Sequence, residues 1–241
     1  MTKDLVPDRS GPAVVAYLKG TQHMFYEDRF RLLTRDAPLV RKSGRGEIFA
    51  VFDGIGKARK GREAAQEMAD ILVEFYTKPE NYDLSLDGVL KLLDHGNKII
   101  HKWGVEENTG QPVGGCAGTI AWLKENMLHV FHAGDTAGAL ITDTGRVLLT
   151  REHQLKNGTI YRYFGQGPEL EIETMVIKTE EYDRILLVSD GVTKAVMFEE
   201  AIDMVRDYED ISHAAKTLVL QARAFGSEDD ITAIIIEIEE E

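Results

Sequence analysis

The sequence predicts an α+β fold. Strand-like runs follow one another directly, amphipathic helices come in two pairs, and the strict βαβ alternation of a dinucleotide-binding fold is missing. Neither a P-loop nor a Gly-x-Gly-x-x-Gly turn occurs. The 241 residues suffice for one large core and are short for two, so a single domain over residues 1–241 is expected, with its core at about 13–238.

Taken in order, a polar tail to about Gly11 leads into a strand at 13–18, and a turn at 20–24 leads into a second strand at 25–33 that carries Glu27 and Asp28. Residues 35–45, with Pro38, Gly44 and four basic side chains, read as an exposed hairpin loop. The central strand follows as EIFAVFDGIG, residues 47–56. After it comes KARKGR, residues 57–62, readable as a solvated loop or as an attractor of anions. Helices are predicted at 63–78, where Ala64, Met68, Ile71, Leu72 and Phe75 share a face, and at 85–103, with Gly104 just past the end. A Gly-rich loop at 109–115 opens an antiparallel meander of strands at 116–123, 127–132, 137–141 and 146–150. Residues 151–170 read as a long loop, followed by strands at 171–178 and 184–189. Helices at 199–208 and 212–225 precede a last strand that starts at Asp229.

The chemistry lies at strand ends. Ile48, Phe49, Val51 and Phe52 form an apolar run that stops at Asp53-Gly54; RILLVSDG repeats the design at Asp190-Gly191; Asp229-Asp230 immediately precedes the apolar run 231–238. One Asp-Gly after a strand is ordinary turn chemistry. Three acids capping three core strands point to a metal site, because converging carboxylates repel by roughly 4 kcal/mol per pair at about 4 Å and an effective dielectric near 20. Acidic oxygens without paired His or Cys suit Mg²⁺ or Mn²⁺ rather than zinc.

Bulk composition excludes several classes. The net charge of -13 argues against non-specific nucleic-acid binding and against a polybasic membrane anchor. Cys116 is the single cysteine, so neither an intrachain disulfide nor a cysteine-rich zinc site is available; it reads as a small apolar strand residue. The N-terminus lacks the layout of a signal peptide and no apolar run reaches membrane-spanning length, so a cytoplasmic protein is expected.

Six segments in order, namely Tyr26-Glu27-Asp28-Arg29, VFDGIG, GCAGTIAWL, HAGDTAGALI, LLVSDGVTKAV and EDDITAIIIEI, resemble the metal-dependent serine/threonine protein phosphatases of the type-2C or PPM family. The resemblance spans 13–237. It implies a four-layer αββα sandwich of two antiparallel β-sheets flanked by helix pairs, and hydrolysis of phosphoserine and phosphothreonine in proteins by a metal-activated water. It implies two Mn²⁺ or Mg²⁺ ions, with a third in bacterial members. Asp53 matches the bridging metal ligand, Gly54 a backbone-carbonyl ligand, Asp190 and Asp229 the remaining acids, and Glu27 an outer ligand acting through water. Asp230 stands where the family usually has Asn, leaving open which of Asp229 and Asp230 binds metal. Asp135 matches the third-ion position or is a turn acid, and Glu152-His153 resembles the Asp-His of a family motif. On this resemblance Asp53 and Asp190 serve catalysis as well as metal binding.

Two departures stand out. Ile55 occupies the place of a histidine proposed as general acid, and His23 that of an arginine that grips phosphate, so His23 is either a substitute phosphate ligand or a turn residue. The expected partners are a phosphorylated protein substrate and an opposing protein kinase, with the chain acting as a monomer. The rival readings are a pseudophosphatase used as a binding module, suggested by the missing His and Arg, and a phosphomonoesterase for small metabolites.

Overall fold

The structure is a computed structural model that describes residues 5–22, 24–56, 58–106 and 112–239. His23, Lys57 of the basic loop, and residues 109–111 of the Gly-rich loop lie outside that range.

Two antiparallel sheets stack face to face. The first has the order β1 (Asp8–Ser10), β2 (Ala13–Leu18), β11 (Ile231–Glu237), β10 (Arg184–Val188), β7 (Ala137–Thr142), β8 (Gly145–Leu148). The second runs β3 (Arg29–Leu33), β4 (Glu47–Gly54), β5 (Cys116–Lys124), β6 (Met127–Ala133), β9 (Glu173–Lys178). Side chains alternate between faces along each strand, so every buried strand serves two cores. Phe49 and Val51 of β4 meet Ile185 and Leu187 of β10 and Ile234 of β11 between the sheets. Ile48, Ala50 and Phe52 point the other way, onto α2 (Gly61–Ile71), α3 (Glu74–Thr77) and α4 (Leu86–Glu106). Leu186 and Val188, with Ala233 and Ile235, pack against α5 (Asp190–Thr193), α6 (Phe198–Asp207) and α7 (Ile211–Ala224). The expected αββα layering is what forms.

Several local expectations are corrected. Residues 35–45 contain a short helix, α1 (Pro38–Ser43), with Pro38 at its start, Gly44 at φ 63° past its end and Val40 buried; the Pro and Gly are helix start and stop signals rather than hairpin punctuation. The first long helix is interrupted. Bonds of the i to i−3 kind from Val73 to Asp70 and from Phe75 to Leu72 tighten it, turning Phe75 edge-on to the buried Trp122 at a centroid distance of 5.5 Å. Helix α4 runs through Gly104 instead of ending before it. The meander is split. β5 and β6 pair in one sheet and β7 and β8 in the other, the chain changing sheets at Gly134-Asp135-Thr136. The final strand begins at Ile231, and β3 at Arg29 rather than at residue 25, the Glu27 amide before it being bound by Asp230, as described below. The supposed polar tail contributes β1, too short and polar to show a strand pattern. Residues 151–170 remain irregular, linked by the isolated bridges Cys116↔Phe164 and Gln154↔Ile160 and pinned where Asn97 accepts from the Gly165 amide and donates to the Gly167 carbonyl.

Leu187 is fully buried between the sheets, three residues before Asp190. Leu187→Ala is expected to lower stability by roughly 2–5 kcal/mol, read from the urea midpoint at constant m-value.

Candidate metal centre

Antiparallel pairing alone brings the acids to one rim. The C-terminal end of β4 lies beside the N-terminal end of β3, Phe52 opposite Arg29, and beside the start of β5, Asp53 opposite Ala117. In the other sheet, Val188 at the end of β10 faces Ala137 at the start of β7 and Ala233 near the start of β11. Asp28, Asp53, Asp135, Asp190, Asp229 and Asp230 therefore meet at the same end of the sandwich, around a cleft of about 530 Å³ that Glu27, Gly54 and Ile55 also line.

Asp53 keeps the alternation of its strand, so its side chain follows Phe49 and Val51 onto the face between the sheets and emerges at the cleft floor. Asp190 is the first residue of α5, and Asp135 sits at the sheet crossing. One oxygen from each of Asp53, Asp135 and Asp190 lies within 4.8 Å of the other two. Asp135 Oδ2 accepts from Gln154 Nε2 at 2.9 Å, but the buried Oδ1 atoms of Asp135 and Asp190 have no hydrogen-bond partner. Buried, unpaired carboxylate oxygens are costly unless a cation receives them, and this all-oxygen set fits a hard divalent ion.

The glycines that follow two of these acids are not turn residues in the left-handed sense. A Cβ at Gly191 would lie 1.9 Å from the Asp230 carbonyl oxygen, and one at Gly54 would lie 2.7 Å from the Gly61 backbone. Glycine is needed there because backbones pack directly against backbones, holding the acids close.

Hydrogen bonding distinguishes the last two acids. Asp230 Oδ1 accepts from the Gly20 amide and Oδ2 from the Glu27 amide, each at 2.5 Å, so its carboxylate ties the segment before β3 to β11. Asp229 instead directs Oδ2 toward the cleft, 2.8 Å from Lys194 Nζ. Asp28 accepts from Thr232 Oγ1 at 2.5 Å. Behind Asp135, His153 Nδ1 accepts from the Gly134 amide while its own amide donates to the Gly134 carbonyl, and Nε2 lies 3.0 Å from Glu173 Oε2 and 3.2 Å from Arg162 Nη1. His153 thus braces the crossing and does not enter the cleft.

The electrostatics follow from crowding. Burial, then Asp190, Asp28 and the other nearby acids, raise the pKa of Asp53 well above the usual carboxylate range. Burial chiefly pushes Asp28 up to about 8, against the opposing effect of the Thr232 and Ser189 hydroxyls. Asp135 rises to about 7 through burial and then Asp190. Burial raises Asp190 as well, with Lys194 opposing.

The sequence reading named five of these acids for the site, Asp53, Asp135, Asp190, Asp229 and Asp230, and all five line the cleft; it placed Asp28 on a strand without a role and overlooked Lys194. The signal for Lys194 was its position four residues after Asp190 at a helix start, where such pairs meet. No described residue of the basic loop lines the cleft: Lys60 lies over the Trp103 ring and Arg62 over the Phe25 ring, and among the described residues Lys194 is the cation lining it.

The family profile described as "Protein phosphatase 2C" matches residues 28–225. The serine/threonine phosphatase stp of Listeria welshimeri is 25% identical over 215 residues, covering 79% of this chain and 84% of that protein. Protein phosphatase 1L of Bos taurus is 27% identical over 252 residues, covering 87% and 68%. Among solved structures, serine/threonine phosphatase Stp1 from Staphylococcus aureus aligns over 100% of both chains with a TM-score of 0.81 at 18% identity. The catalytic domain of the phosphatase PstP, in complex with two manganese ions, aligns over 98% of this chain and 100% of its own with a TM-score of 0.78 at 21% identity.

The raised carboxyl pKa values carry a sign. Asp28 and Asp135 are protonated in the metal-free fold at pH values where the unfolded chain has already lost those protons, so their contribution to stability is present below about pH 4 and lost as pH rises toward about 7 to 8. In chelator, the melting temperature is therefore expected to fall between pH 5 and pH 8, and saturating Mn²⁺ to flatten that fall. A chelated sample whose melting temperature is level or rises over this range contradicts the assignment.

Proposed function

The chain belongs to the protein phosphatase 2C family, and on that premise we propose that it hydrolyses phosphoserine and phosphothreonine in proteins at the acidic cleft, with divalent metal ions as cofactors. The observation that carries the reading is the meeting of Asp53, Asp135 and Asp190 within 4.8 Å, with buried oxygens that no protein group satisfies. A binding module gains nothing from carboxylates that repel one another.

In this reading Asp53, Asp190 and Asp229, with the Gly54 carbonyl, hold two ions, Mn²⁺ or Mg²⁺. Glu27 acts through water from the cleft wall, and Asp135 with Asp190 is the place for a third ion. The two manganese ions of the PstP catalytic domain support manganese as one usable metal. When bound, such ions neutralise phosphate oxygens and lower the pKa of water enough for it to attack at neutral pH. The chain's own part is positional. Glycine-mediated backbone contacts and the Asp230 clamp hold the acids at fixed spacing, so little reorganisation is left for the reaction itself. Ile55 lines the cleft but carries no proton, so no side chain at that position serves as general acid. Binding of the phosphate by His23 remains part of the proposal. The physiological setting proposed is a monomer in the cytoplasm, opposed by a protein kinase. The lone buried thiol of Cys116 and the acidic charge are compatible with that compartment. Among the described residues, no helix is long and apolar enough to cross a membrane.

Hydrolysis of p-nitrophenyl phosphate and of a phosphothreonyl peptide is expected with Mn²⁺ or Mg²⁺, to vanish in chelator, and to drop by about a hundredfold or more in Asp190→Ala. Absence of turnover by folded native protein with every metal would sink the proposal. The two adjacent acids should separate by readout. Asp229→Ala weakens Mn²⁺ binding measured by titration calorimetry, whereas Asp230→Ala mainly lowers stability, by about 1–3 kcal/mol, since two backbone amides lose their acceptor.

A further inference from the structure

Lys194 occupies an unusual place. Its ammonium lies 2.5 Å from Asp190 Oδ2 and 2.8 Å from Asp229 Oδ2, joining the two acids across the rim. The tether is short and fixed. Lys194 follows α5 directly, and its amide donates to the Asp190 carbonyl at 2.8 Å, so the turn that starts with one acid delivers the cation back onto it. The side chain is half exposed, at 51%, while that of Asp190 is 12% exposed. The ammonium thus reaches into the cluster from the solvent side, on a side chain that is not part of the apolar core.

We propose that Lys194 is a tethered counter-cation that competes with a divalent ion for Asp190 and Asp229. The proposal rests on the reading of this cluster as a metal site. In the metal-free chain the ammonium offsets part of the repulsion among Asp53, Asp135, Asp190 and Asp229, and so lets the rim close without an ion. An ion that uses Asp190 and Asp229 must first displace it. A divalent ion has the advantage of twice the charge against the same oxygens, whereas the lysine has the advantage of being tethered at high local concentration. Their balance sets the free-ion concentration at which the site fills, making Lys194 a threshold for metal loading rather than a group acting on the phosphate ester.

The test uses the full chain and Mn²⁺ alone. Binding to native protein, Lys194→Met and Lys194→Arg is followed by the electron paramagnetic resonance of free Mn²⁺, and the melting temperature of each is recorded in chelator and in excess Mn²⁺. Lys194→Met is expected to bind at least one Mn²⁺ about tenfold more tightly, because two charge-assisted pairs no longer oppose entry. It is expected to melt below native protein in chelator and at or above it in excess Mn²⁺, with Lys194→Arg close to native throughout. Lys194→Gln supplies the same comparison if Lys194→Met does not fold. Equal or weaker Mn²⁺ binding by a folded, uncharged variant overturns the proposal while leaving the metal reading intact. If neither native nor variant protein binds Mn²⁺, the metal reading itself falls and the proposal falls with it.

Discussion

Repulsion among carboxylates gathered at one rim is the constraint on which the rest of this structure depends. Antiparallel register leaves the fold no choice about the gathering. Once β4 pairs with β3 and β5, and β10 with β7 and β11, Asp28, Asp53, Asp135, Asp190, Asp229 and Asp230 share one end of the sandwich. Each device around them answers that crowding. Thr232 and Ser189 offer hydroxyls to Asp28, the Gly20 and Glu27 amides satisfy Asp230, and Lys194 spans Asp190 and Asp229. What is left without a hydrogen-bond partner is the buried Oδ1 of Asp135 and of Asp190.

The scaffold behind this rim is rigid for an ordinary reason. Three apolar cores stack through the molecule, and β10 contributes to two of them with alternate residues, Leu186 and Val188 on one side, Ile185 and Leu187 on the other. A strand buried on both faces has no freedom to slide, since a slip of one residue would exchange its two faces. Asp190 begins where that strand ends. The same holds for Asp53 on β4. Close glycine contacts then set the spacing between chains, so the positions of the acids are fixed by packing well before any ligand arrives.

Much of this was legible beforehand. Apolar runs ending in acids show in the sequence because burial and charge are both written in residue type, and the order of strand runs and helix pairs already distinguishes α+β from α/β. The polar stretch 35–45 hid a helix whose only core residue is Val40. The meander from 116 to 150 looked continuous because pairing partners leave no local mark at the crossing near Asp135. Asp230 was indistinguishable from Asp229, since the amides that claim it come from residues 20 and 27, about two hundred positions away. Lys194 carried a visible spacing, but its partner Asp229 lies 35 residues further on and its role depends on that contact.

The sequence by itself determined most of the strands and the long amphipathic helices, the apolar faces that they bury, and that acids stand at the ends of three core strands. These properties follow from side-chain chemistry and the period of each element. Only the tertiary structure decided that the strand ends belong to one rim. It alone turned Asp229 outward to the cleft and Asp230 inward to backbone amides, and it alone set a lysine among the acids. Those outcomes depend on distances between parts of the chain far apart in sequence, and a distance exists only once the sheets have paired and stacked.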